Sequence, residues 1–470
     1  MKKINKIFYY NKWQKSLSNK YYSRKSPNKK HLFFYPECNQ KDILHVILSS
    51  KKGLELNRAL NILERKKYIY KIYQEIKRNY KLIAKLEAIE TGKKILDAEK
   101  EILHSANIWR YASVSLKSLN SKKNLSKKHG GTINYEPVGV VSLIIPWNFP
   151  FVVLSERLPF IIAAGNSVII KPSEFASKSI FYLMKIVKKI KFPNGAINLI
   201  TGSGPKVGSN ITKNKDVNMI SFTGSTKVGK KIMANASKSI KRLSLELGGK
   251  NSILVFEDAD IKRTINIIID SFIGNAGQSC VSTSRLLVSI RIKDKLINDL
   301  LQKLRSIKDF KKIYGPISTV NQYNLIKDII KSNKKYDKNI IFGSTDFKDK
   351  SFVLPIVYKD LPEKNIVNKK EIFGPVLSIN SFKTTEEAID ISNSTDYGLS
   401  AIVCSKNMTK SMKIAERLKS GRIWINESVK TNYPSLPIGG YKESGLNRES
   451  GIEGLKTYSE IKSIIYNKEV

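Results

Sequence analysis

The segment Gly274-Asn275-Ala276-Gly277-Gln278-Ser279-Cys280-Val281-Ser282 sets one of the chain's three cysteines among small residues, between a helix-like run and a strand-like run. A thiol in such a place is either a small buried hydrophobe or a nucleophile on a loop that a substrate can reach. The other two cysteines give no such choice. Cys404 lies inside the apolar run 399–405, as a packing residue does, and Cys38 sits in a polar connection without a local signal. Further chemistry-bearing residues stand just past apolar runs of strand length. They are Pro146-Trp147-Asn148-Phe149-Pro150, Lys171-Pro172-Ser173-Glu174, Phe222-Thr223-Gly224-Ser225 and Glu246-Leu247-Gly248-Gly249-Lys250.

Those positions acquire meaning from the elements that carry them. Residues from about Leu54 to Asn120 read as long amphipathic helices, with Leu56, Leu60 and Leu63, then Ile69, Ile72 and Ile76, at helical spacing. From Pro137 the texture changes to short apolar runs at 138–146, 167–173, 196–201, 219–225, 242–248 and 252–256. Helical stretches at 151–164, 175–190 and 226–238 fall between them. Strands buried on both faces and alternating with helices predict an α/β fold, a parallel sheet with helices on both sides. Ligands of such sheets bind at the carboxyl ends of the strands. A second block follows Cys280, with strands at 284–290, 374–382 and 399–405 and a helix at 292–306. The tail 457–467 alternates like a half-exposed strand that adds to a neighbouring sheet or subunit. Gly202–Gly208, GSGPKVG, has its last glycine one residue too far for a dinucleotide fingerprint and reads as a turn.

Composition narrows the function classes. The 470 residues suggest two or three domains, and no apolar run approaches the ~20 residues of a membrane span. Three cysteines make no disulfide framework, and the four histidines (His31, His45, His104, His129) offer no metal-ligand spacing, so no metal is expected and a reducing, cytoplasmic setting fits. Lys and Arg number 83 against 40 Asp and Glu, a formal +43. The basic residues are spread along a chain also rich in Asn and Ile, which reads as compositional bias with lysine on solvated faces. No specific nucleic acid or membrane partner is expected, only weak, salt-dependent attraction to polyanions. The Lys-rich residues 1–36, with scattered Tyr and Phe, read as an edge-strand region rather than as a targeting segment.

EPVGVV…PWNFP, KPSE, FTGST, LELGGK, GQSC, EIFGPV and PIGGYKESG occur in one order along the chain. In this the sequence resembles the NAD(P)-dependent aldehyde dehydrogenase superfamily, from about Gly131 to the end and more loosely before it. The resemblance implies that Cys280 is a nucleophile that adds to the aldehyde carbon. Asn148, with the Cys280 N–H, would stabilise the oxyanion, and Glu246 would activate the water that hydrolyses the thioester. It implies that Lys171 and Glu174 meet the adenine-side ribose and that Gly224 and Ser225 open a helix under the pyrophosphate. Trp147, Glu371 and Phe373 would complete the cofactor site. A carboxylate at Glu174 repels a 2′-phosphate, so NAD is expected over NADP.

The implied fold is aldehyde-dehydrogenase-like. A Rossmann-like dinucleotide-binding domain would take residues 1–116 and 138–248, an α/β catalytic domain 249–448, and a small β bridging and oligomerisation element 117–137 with 449–470. A homodimer or homotetramer follows from that element. Two stretches depart from the family by being short, 124–137 and 307–318. The resemblance places Phe149, Val153, Glu156, Ser279, Val281 and the loop 426–437 around the substrate. Glu156 there is either a selector for amino-, betaine- or semialdehydes or a carboxylate paired with Arg157. A basic nucleic-acid-binding protein and a catalytically silent relative are the competing readings.

Overall fold

The computed structural model describes residues 2–28, 30–347, 349 and 351–469. Its first sheet has eight strands in the spatial order 445–446, 242–246, 219–223, 140–144, 167–171, 197–199, 6–9 and 12–15. The five central strands run parallel. The N-terminal hairpin and Gly445–Leu446 join antiparallel at the two edges. Sequence order reverses between Val140–Ile144 and Met219–Thr223, and the crevice beyond the carboxyl ends of such neighbours is where doubly wound sheets bind ligands. The PWNFP loop follows one of these strands and Gly224-Ser225 the other.

The second sheet has seven strands in the order 340–342, 356–359, 376–382, 283–289, 251–255, 400–404 and 422–425, parallel except for Ile340–Phe342. A third sheet pairs Ser121–Asn124 and Ser459–Asn467 with the two sides of His129–Pro137. No helix among the described residues is long and apolar enough to cross a membrane.

Local chemistry explains where the elements begin. Asn39 with Asp42, and Asn61 with Glu64, form reciprocal capping boxes at the starts of Gln40–Ala59 and Ile62–Arg78. Lys178–Lys189 turns Ile180, Phe181, Leu183, Met184, Ile186 and Val187 inward; each such side chain contributes about 1.5–3 kcal/mol on burial. One expectation changes. The helical run 151–164 is two short helices, Pro150–Ser155 and Leu158–Ala163, because Pro159 has no N–H to continue the ladder and Arg157 leaves the helical region at φ −124. The stretch 202–208 is, as expected, a turn between a strand and a helix; it closes as one helical turn, Gly204–Gly208, that runs on into Ser209–Lys213.

The helix Gln40–Ala59 supports the first sheet through one close crossing. A Cβ added to Gly53 would lie 1.9 Å from the carbonyl carbon of Gly195. Gly53→Ala is therefore expected to destabilise the protein by about 1–3 kcal/mol or more, read as a lowered thermal midpoint, because the atom that the new methyl meets belongs to backbone and cannot swing aside.

Candidate active site

Cys280 follows the helix Ile261–Ile273 and a tight turn, Gly274–Gly277, and precedes the strand Thr283–Ser289. Three successive residues of that turn, Asn275, Ala276 and Gly277, have positive φ values of 50, 57 and 68°. Two of them are not glycine, so the turn holds strain that its surroundings must enforce. The enforcement is visible. A Cβ on Gly277 would stand 2.3 Å from the Gly374 carbonyl oxygen, and Asn251 Nδ2 donates to the carbonyls of Cys280 at 2.7 Å and Ser282 at 2.9 Å. Gln278 is buried, and its Oε1 accepts from the Ser318 N–H at 2.8 Å. Cys280 itself is half-buried and unpaired, whereas Cys38 and Cys404 are buried, their thiols pushed up to about 12 by loss of solvation.

Asn148 reaches this loop from the first sheet. Its Nδ2 donates to the Gln278 carbonyl at 3.0 Å, leaving one amide hydrogen for another acceptor. Asn148 does not cap the neighbouring helix, whose N-cap is Phe149 and has no side-chain capping bond. Among the described residues no acceptor takes the Cys280 N–H.

Glu246 ends the strand Arg242–Glu246 and is 4% exposed. Burial pushes its carboxyl up to about 7 against the opposing Arg157 charge, and the thiol of Cys280 is its hydrogen-bonding neighbour. One carboxyl oxygen, Oε1, is buried with no partner. The thiol is displaced in turn: burial, then the negative charges of Glu246 and Glu156, raise it well above an ordinary cysteine. The loop after Glu246 is pinned by Ser444, which accepts from the Leu247 N–H through its carbonyl at 2.9 Å and donates its hydroxyl to the Gly248 carbonyl at 2.7 Å.

Of the residues singled out for a cofactor, Lys171, Trp147, Gly224 and Ser225 stand at or just past carboxyl ends of strands of the first sheet, and Glu371 and Phe373 lie in the loop ahead of Val376–Phe382 of the second. Lys171 is buried rather than solvated; its Nζ donates to the Pro172 carbonyl at 3.0 Å and stands 3.7 Å from Glu174. Burial lowers its pKa, with Glu174 opposing. Ser225 is the N-cap of Thr226–Ala236 but makes no capping bond, and the buried Thr223 Oγ1 beside it has no partner. Helix N–H groups and a hydroxyl left unpaired there fit a phosphate. Trp147 and Phe373 meet edge to face at 5.6 Å, with Phe373 at φ 56. Glu371 accepts from the Gly249 N–H at 3.0 Å and is pushed up to about 7 by burial.

Of the residues expected around a substrate, Glu156 stands 3.6 Å from Arg157 Nη1, and its charge is felt by Arg422 and by the Cys280 thiol. Arg157 is buried and also faces Glu449 at 3.6 Å; Glu449 in turn accepts from Tyr458 at 2.7 Å and from Ser244. Arg422 donates to Asn432 at 2.7 Å and to the carbonyls of Leu436 and Pro437 at 2.9 Å, which ties down the loop 426–437. Glu449, Arg422 and Lys93, whose Nζ donates to the Asn148 carbonyl at 2.9 Å, were not marked by any local pattern, and Gln278 was marked only as part of the GQSC motif, not for its ties. Their ties span up to hundreds of positions, so only the fold discloses them. Among the described residues no group of three or more His, Cys, Asp or Glu side chains is placed to hold a metal ion.

The Glu246 pKa fixes a sign for stability. Its folded value of about 7 exceeds the unfolded value of about 4.3, so its contribution is fully present below about pH 4.3 and is lost as pH rises through about 7. Glu246→Gln is expected to gain stability relative to the wild type between about pH 4.3 and 7, read as the difference between their thermal midpoints across that range.

The sequence model described as the aldehyde dehydrogenase family matches residues 13–464. Retinaldehyde dehydrogenase 3 of Mus musculus is 33% identical over 99% of this chain and 94% of its own length. Betaine aldehyde dehydrogenase of Bacillus subtilis is 31% identical over 94% of this chain and 92% of its own. Among solved structures, an NAD-dependent aldehyde dehydrogenase from Sinorhizobium meliloti superposes with a TM-score of 0.95 at 32% identity, covering 99% of this chain and 95% of that one. A betaine aldehyde dehydrogenase from Staphylococcus aureus in complex with NAD+ gives 0.93 at 30% identity, over 99% and 95%.

Proposed function

The chain belongs to the aldehyde dehydrogenase family and is an oxidoreductase acting on aldehydes, and we propose that it oxidises its aldehyde to the carboxylic acid through Cys280, Asn148 and Glu246, with NAD as acceptor. The observation that carries the reading is the convergence, from two strand ends of the first sheet and the turn ahead of Thr283–Ser289, of a half-buried thiol, a side-chain amide with a spare hydrogen and a buried carboxyl of pKa about 7.

The thiol gives its proton to Glu246 as sulfur bonds to the aldehyde carbon. The carbonyl oxygen takes the negative charge, which the free Asn148 amide hydrogen and the Cys280 N–H are set to receive. NAD, when bound, supplies the acceptor for the hydride that leaves this carbon. A thioester to Cys280 remains. Glu246, having released its proton to solvent, takes one from the attacking water, the carbon–sulfur bond breaks, and acid and thiolate result. Aldehyde, water and NAD+ thus give acid, NADH and a proton.

Thr223 and the uncapped helix behind Ser225 support a pyrophosphate seat, and Lys171 with Glu174 supports a ribose seat. Glu371, Phe373 and Trp147 would border the nicotinamide. In this reading residues 1–116 and 138–248 form the dinucleotide-binding domain, residues 249–448 form the catalytic domain, and residues 117–137 with 449–470 bridge to a second copy. The outer strand Ser459–Asn467 leaves Ile461 and Ile465 more than half exposed, which suits a homodimer or homotetramer. Three unpaired thiols suit the cytoplasm. A second reading, an amino- or quaternary-ammonium aldehyde specialist, is favoured by the Glu156 carboxylate beside the thiol.

Turnover should rise with pH through about 7, where Glu246 loses its proton. Glu246→Gln, which removes the acceptor of both the thiol proton and the water proton, should form at most about one NADH per subunit, more slowly than the wild type, and then stall, in stopped-flow absorbance; full steady turnover would remove Glu246 from the mechanism. Glu174→Gln should raise kcat/KM with NADP about tenfold, since a like-charge contact near the surface is worth about 1–4 kcal/mol. In an aldehyde panel, a betaine-aldehyde preference that Glu156→Gln abolishes would establish the second reading, and its absence would exclude it.

A further inference from the structure

The helix Tyr80–Thr91 ends at Gly92, whose φ of +81° makes a left-handed cap. A Cβ at Gly92 would lie 2.9 Å from Pro316 and 3.1 Å from Pro27, so the turn is closely packed. It drives Lys93 inward until its side chain is 2% exposed. There the ammonium donates to the Asn148 carbonyl at 2.9 Å and to Glu101, stands 3.8 Å from Glu87, and lies 4.3 Å above the Phe149 ring. Glu87 accepts from the Phe151 N–H at 3.3 Å. Lys93 and Glu87 together hold a carbonyl, a ring and an N–H of residues 148–151.

The other side of Asn148 is held from the same turn. Asn148 Nδ2 donates to the Gln278 carbonyl, Gln278 Oε1 accepts from the Ser318 N–H, and the Ser318 hydroxyl donates to the Thr91 carbonyl at 2.7 Å. A closed circuit therefore runs Thr91, Ser318, Gln278, Asn148, Lys93, and joins the loop carrying the amide to the loop carrying the thiol. Buried ion pairs are weak sources of stability, since an apolar side chain of similar volume serves as well. A cation at this point is explained by what it fixes.

We propose that Lys93 is a positioning residue of the oxyanion site, holding the Asn148 main chain so that its side-chain amide meets the adduct on Cys280. The proposal rests on the reading of Asn148 as the oxyanion donor. Lys93 touches neither substrate nor thiol and acts through Asn148.

The test is a double-mutant cycle of Lys93→Met and Asn148→Ala in the full-length enzyme. It reads NAD-linked aldehyde oxidation and, separately, NAD-free hydrolysis of p-nitrophenyl acetate, which needs the thiol, the oxyanion donors and Glu246 but no hydride transfer. Asn148→Ala should lower kcat about 100- to 1000-fold. Lys93→Met should lower kcat of both reactions about 10- to 100-fold while KM for NAD stays within about twofold, as a misplaced donor predicts. Lys93→Arg, which keeps charge and donor, should recover most of the loss. The double variant should be no slower than Asn148→Ala alone. Losses that multiply, or a folded Lys93→Met with wild-type kcat, would overturn the proposal. If Asn148→Ala keeps full turnover, the oxyanion reading fails and the proposal with it. Lys93→Gln takes the place of Lys93→Met in the cycle should the latter not fold.

Discussion

A thiol and a carboxyl share one poorly solvated space at the end of the strand Arg242–Glu246, and the two cannot both be ionised there at low cost. That conflict shapes the site. Burial, with the negative charges of Glu246 and Glu156, holds Cys280 as a thiol at rest, while burial and Glu156 lift Glu246 into the range where a carboxyl can take a proton near neutrality and give it back. Arg157 limits the lift, and Glu156 and Glu449 limit Arg157, so five charged or proton-carrying groups are balanced in one volume. Glu246 Oε1 is buried there with no partner.

Such a site needs walls from distant parts of the chain. The first sheet supplies Glu246 and Asn148, the second carries the Cys280 turn, and Gly445–Leu446 pairs with Leu245–Glu246 at the edge of the first sheet. The strained turn before Cys280 is held by backbone contact with Gly374 and by Asn251. The same EIFGP segment brings Glu371 against Gly248, where a Cβ would lie 2.4 Å from its carboxylate. Strain beside Cys280 is thus sustained by rigid neighbours on two sheets, the arrangement that preorganised chemistry calls for.

Much of this was legible along the sequence because its signals are local. Apolar runs ending in polar residues disclosed the strands, and small residues around Cys280 disclosed a close-approach loop. The single thiol outside an apolar strand or a featureless connection is the one that the fold leaves half-buried, while the other two are buried. What stayed hidden depends on long-range burial. Lys93 reads as one lysine among many, and only the fold shows it enclosed by Glu87, Glu101 and Phe149. Glu449 follows an unremarkable arginine, yet it is buried against Ser244 and Tyr458. The break at Arg157 was missed because apolar periodicity continues across it, while Pro159 ends the hydrogen-bond ladder. Glu156 was recognisable both as a pocket candidate and as a partner of the adjacent Arg157, and the two do pair, but the nearness of Arg422 is a tertiary fact.

The account stands on a covalent bond between the substrate carbon and one sulfur. The most direct measurement is peptide mass spectrometry of enzyme acid-quenched during turnover with an aldehyde and NAD. The account predicts an acyl mass on the peptide that contains Cys280, with Cys38 and Cys404 unmodified. An acyl group on another residue, or turnover with no acyl-enzyme at any quench time in the Glu246→Gln variant, would contradict it.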